Sequence, residues 1–194
     1  MDKRRVILIS VLGFLLVVLA FLFFFKNSGR ERIKEAEEIP QPAVSTQAPI
    51  EKSMRKVTLF FLREEDSKLI PEERDIVSNP STAREAEEVI VELIKGSQMG
   101  LVSSLPAETK LIQLFITKEG VAYVDFSKDL VDKHPSGSTA EISTVYSIVN
   151  SLAYNFKPIK KVFILIEGEE RETLGGHISL DHPFLPDYSL IFQE

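Results

Sequence analysis

Hydrophobic positions change their spacing twice along this chain. Residues 6–25 read VILISVLGFLLVVLAFLFFF, with no charge and no alternation. At 1.5 Å rise per residue a helix of that length spans about 30 Å, the thickness of a bilayer's hydrocarbon core. The run therefore predicts a transmembrane helix, preceded by a stub at residues 1–5. Residues 26–54 then lose all apolar periodicity, and Pro40, Pro42 and Pro49 stand among Ser, Thr, Gln and Ala. Proline fixes φ and removes an amide donor, and so polar a stretch cannot offset the entropy of ordering. A flexible, extended linker is expected there.

From residue 55 to 194 the periods of a folded domain take over. VTLFFL at 57–62 is β-branched, aromatic and nearly all apolar, the pattern of a strand covered on both faces. Residues 63–80 are charged and carry Pro71 and Pro80, which predicts a long connection or a short strand. Thr82 and Glu85 form a T-x-x-E capping box that opens a helix. Its apolar face is Ala86, Val89, Ile90, Leu93 and Ile94, and Gly96 ends it. LIQLFI at 111–116 and VAYVDF at 121–126 flank Thr117-Lys118-Glu119-Gly120, a length suited to a hairpin. Ser138 and Glu141 form a second capping box, followed by a stripe of Ile142, Val145, Val149, Leu152, Ala153 and Phe156. Pro158 bars continuation of that helix. VFILI at 162–166 and a segment at 171–174 supply the last two strands. The order β-α-β-β-α-β-β predicts an α+β domain: a small mixed sheet with two helices packed on one face.

Two alternatives to an anchor meet physical objections. A buried core helix is usually shorter and amphipathic. A cleaved signal peptide has an apolar region of about 7–15 residues and a small-x-small cleavage pattern, whereas residues 21–25 read FLFFF. Lys3, Arg4 and Arg5 cluster before the run, while Lys26, Arg30 and Arg32 after it are diluted by Glu31 and Glu35. The positive-inside rule thus places the N-terminus in the cytoplasm and the domain outside it, on a small charge difference.

Charge narrows the partners. Net charge is −6, but from residue 27 onward 19 basic residues face 28 acidic ones, a balance of −9. A domain this acidic, without a basic stripe, is a poor match for nucleic acid. Cysteine is absent, which excludes thiolate catalysis, Cys-type zinc sites and a lipid on a lipobox cysteine. His177 and His182, with Asp181 adjacent, superficially resemble metal ligands, but their spacing and the surrounding Gly175, Gly176 and Pro183 mark an ordinary polar loop. His134 sits in a polar turn before Pro135. No metal or cofactor is expected. Carboxylates are plentiful enough that a pair for glycoside hydrolysis can always be drawn, and Asp125 and Glu167, flanked by apolar residues, are the better ones. No nucleophile elbow or phosphate loop occurs. The most distinctive local feature is Gly175-Gly176-His177, where paired glycines imply either a positive φ or a backbone approached closely by another group. This loop is the candidate binding site; no catalytic residue is assigned.

Several segments together carry a resemblance. VTLFFL, IPEERDIV, ELIKG, GLVSSLPAETKL, GVAYVDFSKDL, GSTAEISTVYSIVNSL and KKVFILIEGEERETLGGHISLDHPFLPD run uninterrupted over about residues 56–189. In them the chain resembles the GerM domain (GerMN) family, first associated with bacterial sporulation and germination. One departure is Gly96-Ser97, where the family commonly has Gly-Pro. The resemblance implies an exported domain held at the outer face of the cytoplasmic membrane, with a fold like the ring-building modules of secretion-like assemblies. It brings no catalytic residues. The expected function is a non-enzymatic, membrane-anchored interaction or assembly module of the cell envelope, meeting other envelope proteins or its own copies. A peptidoglycan-binding or glycan-processing domain is the alternative.

Overall fold

The computed structural model describes residues 22, 53–135 and 137–193. The expected membrane helix at 6–25 and linker at 26–54 lie outside the described residues, save for positions 22, 53 and 54. Among the described residues no helix is long and apolar enough to cross a membrane. The elements from residue 53 onward belong to the unit Glu51–Glu194.

Strand β1 (Met54–Arg63) pairs antiparallel with β2 (Lys68–Val77), from Met54 opposite Val77 to Arg63 opposite Lys68. VTLFFL is covered on both faces, as its composition predicts. Val57, Leu59 and Phe61 enter the core, while Phe60 meets Tyr154 edge to face at 5.4 Å. Strand β2 is ten residues long rather than a connection. Its alternation is hidden because two of its inward positions are charged: Glu72, Arg74 and Ile76 share one buried face. A buried charge survives only when paired and hydrogen-bonded. Arg74 donates to Glu72 Oε1 from Nε (2.8 Å) and Nη2 (2.5 Å), and to the Gly96 carbonyl at 2.7 Å. Glu72 also accepts from Ser97 Oγ at 2.6 Å and from the Gln98 amide at 3.0 Å. Burial works to raise the Glu72 carboxyl, but Ser97, Gln98 and Arg74 outweigh it and hold it below its ordinary value. Ser97 is thus a member of this network.

Helix α1 (Thr82–Lys95) buries Ala86, Val89, Ile90 and Leu93 as its stripe predicts. Its cap differs from the expected box: Ser81, one residue earlier, accepts from the Arg84 amide. Glu85 is buried and turned away, accepting from the Asn79 amide at 2.9 Å and pairing with Arg55.

The second sheet holds β3 (Leu111–Ile116), β4 (Val121–Phe126) and β5 (Lys161–Ile166) in that order. Strands β3 and β4 form the expected antiparallel hairpin, and β5 runs parallel to β4. A short helix α2 (Asp129–Asp132) precedes the long helix α3 (Ser138–Asn155). One mixed sheet was expected; the fold instead has two. The difference arises because the hairpin β1-β2 closes on itself and its free β1 edge is taken by side chains. From α3, Asn155 accepts from the Thr58 amide (2.9 Å) and donates to the Thr58 carbonyl (2.6 Å), and Ser151 Oγ accepts from the Phe60 amide (3.1 Å). Helix polar groups therefore replace a neighbouring strand. Helices α1 and α3 each touch both sheets, so they fasten the two sheets together around one core.

Residues 171–174, expected as a strand, make only a single bridge, Thr173 to Ser179. The segment after β5 is otherwise irregular, yet Leu174, Leu180 and Phe184 are buried in the core. Core residues come from every strand and helix between Val57 and Phe184, so this unit carries what a domain needs to fold on its own.

Candidate functional site

The glycine-rich loop is built around a buried carboxylate. Glu141 sits in the first turn of α3 and is fully buried. It does not serve the capping box expected of Ser138, since the helix begins after Gly137 with no side-chain cap. Its Oε2 accepts from the amides of His177 (3.1 Å) and Ile178 (2.9 Å), and its Oε1 lies 2.7 Å from His177 Nδ1. Burial by itself would raise this carboxyl, but the His177 ring and the amides of Ile178, His177 and Gly175 hold it down at about 2. An ionised carboxylate only accepts, so Nδ1 of His177 must carry the proton.

This geometry divides the two roles expected of the glycine pair. Gly176 has φ +107 with open space around it, the backbone requirement. Gly175 is the close approach: a Cβ there would stand 2.8 Å from Glu141 Oε1. All three loop residues are exposed on their outer side. The loop is thus wrapped onto Glu141 from within, and its glycines are accounted for by that wrapping.

The remaining candidates are separate. His182 Nδ1 pairs with Asp181 at 2.7 Å while His177 pairs with Glu141, so the two rings have different carboxylate partners. His134 reaches Thr144 Oγ1 at 2.8 Å. Asp125 and Glu167 lie at the C-terminal ends of the adjacent strands β4 and β5. Asp125 accepts from the Gly168 amide at 2.8 Å, and Glu167, itself at φ +55, accepts from the Lys128 amide at 3.0 Å. Each closes a turn, Asp125 after β5 and Glu167 at the entry to α2.

A surface that the strand patterns did not single out is the outer face of the three-stranded sheet. Ala122, Val124 and Phe126 point into the core, so Val121, Tyr123 and Asp125 turn the other way. Register puts Phe115 and Phe163 on either side of Tyr123. The Phe115 and Tyr123 rings stack at 4.7 Å with planes 5° apart, and Tyr123 meets Phe163 at 5.4 Å. Phe163 is buried by its neighbours, but Phe115 is 44% exposed. The bridge from Val162 to Phe184 adds a fourth row. With Phe184 in the core, alternation turns Pro183 and Leu185 outward, and Leu185 is 61% exposed. The signal lay in the strands themselves, since LIQLFI and VAYVDF each carry an aromatic on the face opposite their aliphatic stripe.

The Germane family model, described as sporulation and spore germination, matches residues 58–172. The fold is shared with a candidate lipoprotein from Clostridium perfringens whose crystal structure was solved at 2.5 Å. That match has a TM-score of 0.50 and 23% identity, and covers 72% of this chain and 94% of the other. It is also shared with the tandem GerMN domains of the sporulation protein GerM from Bacillus subtilis, at TM-score 0.54 and 24% identity. That alignment covers 68% of this chain and 46% of the tandem structure, so the chain spans about half the length of the pair. No curated protein sequence matches. Because the family model takes in more than half of its 194 residues, the chain belongs to the Germane (GerMN-type) family of sporulation and spore-germination domains.

Proposed function

We propose that this chain is a non-enzymatic interaction module of the bacterial cell envelope, anchored by residues 6–25 with its domain outside the cytoplasm. The observation that carries the reading is the aromatic row on the outer face of the β3-β4-β5 sheet. Water-exposed apolar area is costly, and on this face Phe115 and Leu185 keep such area in water beside the part-covered Tyr123. Support for the location comes from the family's link to sporulation and germination. A fold neighbour described as a lipoprotein adds to it, since lipoproteins are held at a membrane. With no cysteine to carry a lipid, the apolar run takes the anchoring role.

The test is photo-crosslinking in intact cells. A benzophenone amino acid replaces Phe115 in the full chain, and Glu88 on the exposed side of α1 in a control. Adducts with envelope proteins or copies of the chain are expected from position 115 and not from 88. Equal adducts from both, or none from 115, would remove the interaction reading. Protease added to the outer face should digest residues 55–194; their resistance would reverse the orientation.

A further inference from the structure

We infer that β3 accepts an added strand: an extended, uncharged segment of another envelope protein pairs with its free edge. The inference rests on the interaction reading above, and names the class of partner and the way it is held. It starts from main-chain groups rather than from the apolar face.

Each sheet has two lateral edges, and among the described residues only that of β3 is left open. On β1, Asn155 and Ser151 cover Thr58 and Phe60, and the Leu62 carbonyl accepts from the Val102 amide. On β2, the Leu69 carbonyl accepts from the Phe192 amide. Main-chain direction alternates along a strand, so the next outward residues are Pro71, Glu73 and Asp75. Proline and charge are how a sheet edge refuses another strand. On β5, Val162 exchanges both bonds with Phe184, and Ile166 does so with Glu169.

Strand β3 has no such cover. LIQLFI carries neither charge nor proline. The Thr117 amide donates to Val121 of β4, so by alternation Phe115 also faces β4 while Leu114 and Ile116 face away. Among the described residues, the amides and carbonyls of Leu114 and Ile116 have no partner on that side. Buried main-chain groups are nearly always paired, so these stand open to water.

The occupant follows from what is unpaired. A donor and an acceptor recur every second residue, about 6.8 Å apart, a spacing that another extended main chain matches. Phe115 stacks on Tyr123 through one ring face. Because β3 is the last strand of its sheet, the other ring face turns toward the place of the added strand. Residues directly opposite pack as pairs, so the partner carries a β-branched or aromatic residue there. The register with β4 slips between Leu111 and Gln113, and such a bulge bends the strand. A folded edge from a second copy would have to match that bend, whereas a segment without fixed structure follows it.

The full chain, purified in detergent, is panned against a random dodecapeptide library displayed on phage, and enriched peptides are synthesised. At saturation such a peptide should slow exchange of the Leu114 and Ile116 amides about tenfold or more, and leave the Asp75 amide on β2 unchanged. Only alternate residues of a paired strand face β3, so N-methylation of one alternate set should weaken binding roughly tenfold, and of the other set little. Strand addition is overturned if no peptide enriches, if Leu114 and Ile116 still exchange at their free rate, or if both methylated sets bind alike. Slowed exchange at these two amides on concentrating the chain alone would give the edge to a second copy and overturn the foreign segment. An adduct at position 115 in cells without protection of these amides by peptide keeps the interaction reading and removes only the added strand. Protected amides with no adduct at 115 keep strand addition and remove the envelope reading.

Discussion

Replacing Glu141 with Gln removes one charge from the middle of the domain and leaves the side-chain volume almost unchanged. The cost follows from the site. The carboxylate accepts from two loop amides and the His177 ring, at 3.1, 2.9 and 2.7 Å, and its carboxyl is held at about 2 against an ordinary 4.5. At 1.36 kcal/mol per unit, that difference is about 3 kcal/mol of stability at neutral pH. Glutamine offers one acceptor oxygen, and its amide group opposes an N–H where an oxygen stood, so most of that sum is lost. For a domain whose total stability is about 5–15 kcal/mol, this is a large share. Because the folded carboxyl lies below its unfolded value, its contribution is complete above about pH 4.5 and lost as pH falls toward 2. The gap between parent and variant should therefore narrow to roughly 2 kcal/mol at pH 3.5. The chain has no tryptophan, so urea unfolding of residues 51–194 is best followed by circular dichroism at pH 7 and pH 3.5. A loss under 1 kcal/mol at pH 7, or a gap that does not shrink in acid, would refute the account of the loop.

Four further outcomes are expected. Gly175→Ala should lower stability by about 1–3 kcal/mol, because its Cβ meets Glu141 Oε1 at 2.8 Å. Gly176→Val should cost at least about 1 kcal/mol through its positive φ although space there is open; urea midpoints check both. Ser97→Ala removes a donor to Glu72 and an acceptor for the Met99 and Leu101 amides, costing about 1–2 kcal/mol by the same measurement. Asn155→Ala uncovers both main-chain groups of Thr58, so the Thr58 amide should exchange with solvent faster than in the parent, with about 2 kcal/mol lost.

Much of the fold was legible where one face of an element is apolar and the other is not. Helix α1, the β3-β4 hairpin and α3 fall where their periods predict, and Gly96 and Pro158 bound the helices. Strand β2 was hidden because Glu72 and Arg74 occupy inward positions. Their compatibility with burial depends on each other and on Ser97, 25 residues away from Glu72, which no local window contains. Pro71 also reads as a breaker, yet it is tolerated on a strand with one free edge. Both T/S-x-x-E patterns announced helix starts correctly but for another reason, since Glu85 and Glu141 bond to other segments. The second sheet was missed because the alternative to strand pairing is a set of side chains, Asn155 and Ser151, whose reach to β1 only the tertiary structure sets. In the glycine loop, the two backbone requirements were readable; which glycine met which was not. The aromatic row was present in the alternation of two strands and became visible once register placed Phe115, Tyr123 and Phe163 in line.

The donors that hold Glu141 arrive late in the chain. They lie 36 and 37 residues after it, beyond residue 172, where the family match stops. A chain cut at that boundary would keep every strand and helix named above, yet leave an ionised carboxylate in the interior with nothing to receive, and remove Leu174, Leu180 and Phe184 from the core. The tail is the closing piece of the domain, and it holds on past Phe184, where Asp187 bonds to Asn150 of α3 and the Phe192 amide donates to the Leu69 carbonyl of β2.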